Sequence, residues 1–194
     1  MSGLLQQLNG EISALLRSVA QSLVSVGQPY NGTGAGIIIH ADGMIVTNAH
    51  VVRHESPEIT LPDNRKLSAR ILAHDPELDL AVLAIDAKNL PTVKLGDSQT
   101  LQPGALVFSL GHPWGVPGAV SAGSVIAVGP PPELATSREF IQSDLQLRPG
   151  HSGGPMVDVL GRVVGINTLI TGPEVGLAIP VDVVKDFLRQ SVEV

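Results

Sequence analysis

Cysteine is absent from the 194 residues, so no disulfide holds this fold, and cysteine usage gives no clue to the redox compartment. Charge is scarce too: Asp, Glu, Lys and Arg make up 15% of the chain, with a net charge of −6. No stretch gathers Lys and Arg among aromatics, and an acidic surface repels phosphate, which excludes nucleic acid as a partner. No uninterrupted apolar run reaches the roughly 18 residues of a membrane-crossing helix, so no transmembrane segment is expected. The N-terminus lacks a basic start. Its first cationic side chain is Arg17, and Gln6, Gln7, Asn9 and Glu11 interrupt any signal-peptide core. The chain reads as soluble, and as either cytoplasmic or the mature form of an exported periplasmic or envelope protein.

What is present is glycine (21), proline (15) and a hydrophobic fraction of 43%, the profile of short strands joined by many turns rather than of disorder. The length suits one domain, or two small barrels sharing a cleft. Leu4, Leu5, Leu8, Ile12, Leu15, Leu16, Val19 and Leu23 recur at steps of three and four, which predicts a helix over about 3–20. Leu23-Val24-Ser25-Val26 alternates like a first strand. Asn31 to Gly36 reads as a glycine-rich structural loop before the strand Ile37-Ile38-Ile39, since neither the Lys-Ser/Thr nor the helix of a phosphate loop follows. Ala41-Asp42-Gly43 marks a hairpin, and Met44-Ile45-Val46 a strand that delivers His50 at its end. Further strands are expected around Ile59 to Leu61, Ala69 to Ala73 and Leu80 to Ile85, the last apolar throughout and so buried on both faces. Turn residues on either side of Val93-Lys94-Leu95 mark the boundary between two halves. Strands resume at Ala105 to Leu110, Val120 to Val128, Phe140 to Asp144, Met156 to Val159, Arg162 to Ile166 and Val175 to Ile179. Pro130, Pro131 and Pro132 force a loop. A short helix over 182–190 closes the chain, with Asp182 favourably placed near its N-terminus. About a dozen strands with sparse helix favour barrels over a parallel sheet.

The strongest chemical signal is Gly150-His151-Ser152-Gly153-Gly154-Pro155. Three glycines around one hydroxyl give a tight turn close to a ligand and mark Ser152 as a nucleophile, although ordinary turns use the same residues. The stretch also fits the Gly-X-Ser-X-Gly elbow of α/β-hydrolases, but that fold needs a histidine after the serine, and all six histidines lie at or before position 151. The order His, Asp, Ser survives. His50 at a strand end supplies the base, and Asp79 at the mouth of a buried strand the acid, its carboxylate partly desolvated and in need of hydrogen bonds. His50 and His54 could share a helical face as metal ligands, but Val51 stands where the zincin motif has Glu and no third ligand is evident. No metal and no cofactor are expected.

Thr47-Asn48-Ala49-His50-Val51-Val52, Asp79-Leu80-Ala81-Val82-Leu83, the serine motif, Gly165-Ile166-Asn167-Thr168 and Gly176 to Asp182 together resemble the HtrA/Deg branch of the trypsin-like serine proteases, over roughly residues 20–190. The resemblance implies an all-β fold of two six-stranded antiparallel barrels with short N- and C-terminal helices: a helix over 1–22, barrels over 23–97 and 98–180, and a helix over 181–194. It implies a serine endopeptidase acting on unfolded or exposed protein segments, in protein quality control, through a His50, Asp79, Ser152 triad and an acyl-enzyme. The backbone N–H groups of Gly150, His151 and Ser152 would hold the oxyanion. Leu147 would sit near the base of the specificity pocket, favouring small or medium apolar side chains, and Asn167, Thr168 and Leu169 would line the substrate strand. Regulatory loops would lie near 129–137, 144–151 and 168–176, and the assembly would be a homotrimer. The family usually has Asn where this chain has His151, and many relatives continue into a PDZ domain where this sequence stops. The alternative is a chaperone-like or scaffold binding module whose oxyanion loop stays collapsed.

Overall fold

The structure is a computed structural model that describes residues 2–27, 33–171 and 175–191. Helix α1 (Ser2–Ala20) follows the predicted periodicity. Its second half turns Ile12, Leu16 and Val19 onto the body, while Leu4, Leu5 and Leu8 stay exposed.

Six strands follow: β1 (Leu23–Gly27), β2 (Thr33–His40), β3 (Met44–Thr47), β4 (Glu58–Thr60), β5 (Lys66–Asp75) and β6 (Leu80–Ile85). They close in the order β1-β2-β3-β6-β5-β4, every pairing antiparallel. A second set, β7 (Leu106–Gly111), β8 (Ala119–Gly129), β9 (Phe140–Ser143), β10 (Pro155–Val157), β11 (Val163–Thr171) and β12 (Val175–Pro180), closes as β10-β11-β12-β9-β8-β7. The expected pair of six-stranded antiparallel barrels is therefore the fold. Closure leaves no free sheet edge, which suits short apolar strands that would otherwise pair with other chains.

The structure differs from two sequence expectations. Thr33 to Gly36, expected in a loop, are the first half of β2 and pair with Gly27 to Val24; glycine there serves close packing rather than a turn, and Asn31 and Gly32 lie outside the described residues. His50 sits three residues past the end of β3, in a single 3-10 turn over Ala49–Val51. In the segment between the two halves, Leu95 makes one parallel bridge to Val163.

Each barrel has its own apolar interior, around Ile38, Ile45 and Leu83 in the first and Ile141, Leu145 and Met156 in the second. A larger cluster joins them: Ile37, Val46 and Leu80 meet Leu110, Phe140 and Ile166 across the interface. Burying this face fixes one barrel against the other, because interiors packed at crystal-like density do not slide. Helix α2 (Val181–Ser191) adds Val184 and Phe187 to that cluster. Its first turn is locked by Asp182, which accepts the N–H and Oγ–H of Ser98 at 2.8 and 2.6 Å and Lys185 Nζ at 2.9 Å. Burial alone would raise the Asp182 pKa, but these donors outweigh it and bring it down to about 2.

Candidate active site

The two barrels bring three distant sequence stretches together. His50 arrives on the 3-10 turn after β3, and Asp79 on the turn between β5 and β6. The imidazole Nδ1 lies 2.9 and 3.0 Å from the two carboxylate oxygens of Asp79, and the backbone N–H of His50 donates to Oδ1 at 3.0 Å. An ionised carboxylate only accepts, so Nδ1 carries the proton and the Nε2 lone pair is left free as a base. Burial pushes the Asp79 pKa up, but hydrogen bonds from His50 and Thr168 more than offset this, so the carboxyl titrates below its ordinary value.

Thr168 is the residue where the site converges. Its Oγ1 donates to Asp79 Oδ2 at 2.5 Å, and its carbonyl accepts the Ser152 hydroxyl at 3.0 Å. It lies where the register between β11 and β12 shifts, between Asn167 and Leu169. A bulge of this kind re-aims side chain and carbonyl away from the ladder, here toward the cleft. No hydrogen bond links Ser152 to His50 among the described residues; the serine hydroxyl rests on Thr168 instead.

The serine is held on a rigid loop. Its carbonyl accepts Ala35 N–H at 2.8 Å, from β2 of the first barrel, and Gly153 N–H donates to Asn167 O at 2.9 Å. Gly153 has φ +82, and a Cβ there would strike the Ala35 carbonyl, so both conformation and close approach require glycine. Asn167, expected along the substrate strand, is fully buried. Its Nδ2 donates to the carbonyls of Gly154 and Pro155 at 2.9 and 3.0 Å, so it braces the serine loop from beneath.

Just upstream, His151 N–H donates to Arg148 O at 2.9 Å and Gly150 has φ +106. With Pro149 and Gly150 at its centre, Arg148 to His151 is a type II turn. The N–H of His151 is thereby used inside the turn. The N–H groups of Gly150 and Ser152 have no acceptor among the described residues. The buried His151 ring folds back on the same turn, its Nδ1 accepting Arg148 N–H at 3.0 Å. Burial lowers the His151 pKa; the Arg148 carbonyl, 3.2 Å from Nδ1, opposes the shift and the Arg148 charge assists it. Leu147 is buried beside Gly176, where an added Cβ would lie 3.0 Å from Leu147 Cγ. The side chain of Leu169 lies outside the described residues.

A profile of the trypsin-like peptidase domain matches residues 34–166, a span that holds His50, Asp79 and Ser152 in that order. The chain belongs to the trypsin-like peptidase family. Within that family it is similar to a Pseudomonas putida protein named "Probable periplasmic serine endoprotease DegP-like", 44% identical over 163 residues that cover 81% of this chain and 34% of the relative. A DegP-like relative from Halomonas elongata is 42% identical over the same share of each chain. This peptidase domain thus spans about a third of the length of the curated relatives it matches. Among solved structures, the HtrA-type protease AlgW with a tripeptide superposes with a TM-score of 0.86 at 32% identity, covering 94% of this chain and 64% of that one. These likenesses place the domain on the HtrA/Deg branch.

Among the described residues no group of three or more His, Cys, Asp or Glu side chains could hold a metal ion, and no helix is long and apolar enough to cross a membrane. Sequence reading missed Asn48, whose Nδ2 donates to the Asp79 carbonyl at 3.0 Å. Its place two residues before His50 was the available signal. The hydroxyl of Thr168, a residue expected along the substrate strand, binds the acid.

Proposed function

We propose that this domain is a serine endopeptidase working through His50, Asp79 and Ser152. The observation that carries this is the shared anchorage: Asp79 grips the His50 ring with both oxygens, while Asp79 and Ser152 meet on the one residue Thr168. In the working sequence Ser152 Oγ leaves the Thr168 carbonyl and turns to His50 Nε2, which takes its proton as Oγ attacks a peptide carbonyl. The imidazolium is stabilised by Asp79 and returns the proton to the leaving amine. Water then attacks the acyl-enzyme by the same relay in reverse.

The unclaimed N–H groups of Gly150 and Ser152 are the donors for the tetrahedral oxyanion, in place of the three expected from sequence. A type I turn at Arg148 to His151 would swing the Pro149–Gly150 peptide, and the Gly150 N–H with it, by about half a turn. The type II geometry supports an open oxyanion hole over a collapsed one, and hence the enzyme over the scaffold module. Leu147, packed against Gly176, closes the end of a specificity pocket suited to small or medium apolar side chains. Thr168 and Leu169 flank the substrate strand by backbone.

Substrates are unfolded or exposed protein segments and the role is protein quality control, by likeness to relatives named as DegP-like endoproteases. The same names point to an exported mature form working in the periplasm, and the likeness to a homotrimer, which light scattering of the purified chain would test. The deciding experiment is Ser152→Ala. Turnover of an unfolded protein should fall by about 10⁶. A variant that cleaves as fast as the parent, or a parent whose Ser152 resists a fluorophosphonate, would exclude the assignment.

A further inference from the structure

The turn that carries Asp79 is held in an unfavourable shape. Asp79 has φ +55, a left-handed conformation that side chains other than glycine avoid and that persists only where the surroundings over-determine it. Two of its restraints are local to the first barrel. Asp75 Oδ1 accepts the N–H groups of Glu77 and Leu78, both at 2.8 Å, and Asn48 holds the Asp79 carbonyl.

A third comes from the other barrel. Arg138, on the proline-rich loop between β8 and β9, reaches across the interface and donates Nη1 to the Glu77 carbonyl and Nη2 to the Leu78 carbonyl, the latter at 2.6 Å. Glu77 and Leu78, the two residues before Asp79, are thus gripped at their N–H groups by Asp75 and at their carbonyls by one guanidinium. Arg138 is itself seated, its guanidinium 5.1 Å from the centre of the Phe140 ring and its N–H bonded to Thr136 Oγ1 at 3.1 Å. A planar fork with fixed donors suits two adjacent carbonyls, and a lysine cannot span both.

We propose that Arg138 is a positioning residue for the acid of the triad: it holds the 77–79 backbone so that both Asp79 oxygens meet His50 Nδ1, making a productive His50–Asp79 pair depend on the ordered state of the 130–139 loop. The Arg138 guanidinium bonds the Glu77 and Leu78 carbonyls, so it acts on the acid through backbone geometry. The inference rests on the peptidase reading above.

The test compares Arg138→Met, which keeps a stem over Phe140 and loses the fork, with Arg138→Lys and the parent. For Arg138→Met we expect kcat to fall by about ten- to a hundredfold with KM within about twofold, as for a misplacement of catalytic groups by a fraction of an ångström. The low-field proton resonance of His50 Nδ1–H, present in the parent, should broaden or vanish in Arg138→Met, with Tm nearly unchanged. Arg138→Lys should recover part of kcat and part of the signal. An Arg138→Met protein with parental kcat and a parental resonance overturns the proposal, as does one whose kcat falls only in proportion to its loss of folded protein while the resonance persists. The resonance reads the His50–Asp79 pair without turnover. Failure of the peptidase reading would instead show as a parent that does not react with fluorophosphonate.

Discussion

Thr168→Val separates the hydroxyl of Thr168 from its carbonyl and so tests the point on which acid and nucleophile converge. Valine is nearly isosteric and β-branched, so the bulge and the carbonyl that receives Ser152 should persist. What is lost is the 2.5 Å bond to Asp79 Oδ2, made by a residue only 4% exposed to a carboxylate whose side chain is 19% exposed. A hydrogen bond to a charged group is worth about 1.5–3 kcal/mol, which sets a ceiling near a hundredfold in rate. Asp79 keeps its bonds from the His50 ring and backbone, so we expect kcat for an unfolded protein substrate to drop by roughly ten- to a hundredfold, with KM within about twofold. Thr168→Ser, which keeps the hydroxyl, should stay within a few-fold of the parent. Losing a donor that lowers the Asp79 pKa moves it back toward the ordinary value, so the parent's stability advantage over the valine variant should be full at neutral pH and shrink as the pH falls through the carboxylate range. The assay is steady-state cleavage normalised to active sites counted with a fluorophosphonate. A folded Thr168→Val protein with parental kcat would refute the reasoning, because Asp79 would then need nothing from the Thr168 hydroxyl.

Gly150→Ala should lower turnover by about 10²–10³, the cost of one oxyanion donor, with the barrels intact by circular dichroism; the position has φ +106, and a Cβ would sit 2.5 Å from the His112 carbonyl oxygen, so the turn must rearrange. Asp182→Asn should destabilise the fold at neutral pH by about 1 kcal/mol in urea titrations: the fall from 3.8 to about 2 allows at most ~2.4 kcal/mol, and the side chain is 26% exposed. Because the folded value is the lower one, that stability is present above the ordinary carboxylate range and disappears as the pH drops toward 2, so the two proteins should converge in acid. Burial lowers the pKa of His112 and of His151, so the folded state binds fewer protons than the unfolded chain and stability should decline as pH falls below about 6.5. His151→Asn should flatten that decline in a series of Tm measurements, and an unchanged slope would remove His151 as a cause.

Much of this protein was legible in one dimension because the information is local or ordered along the chain. Strand periods of two, turn glycines and the apolar run Leu80 to Ile85 predicted the barrels, and the absence of any histidine after Ser152 removed the hydrolase elbow. The glycines around Ser152 were readable because a positive φ admits few other residues. Thr33 to Gly36 were misread because small residues that let strands pack closely look like a loop in sequence. Only the tertiary structure could say where side chains point after the chain closes: that Asn167 faces inward under the serine loop, that Thr168 turns its hydroxyl to Asp79 at a bulge, that the His151 N–H is used within its own turn, and that Arg138 reaches the 77–78 carbonyls from the other barrel. Each of these pairs lies on separate strands or loops apart from the turn at His151, and no periodicity in a single chain encodes a bond across two barrels. Sequence determined which groups are available for chemistry; packing of the barrels decided which of them meet.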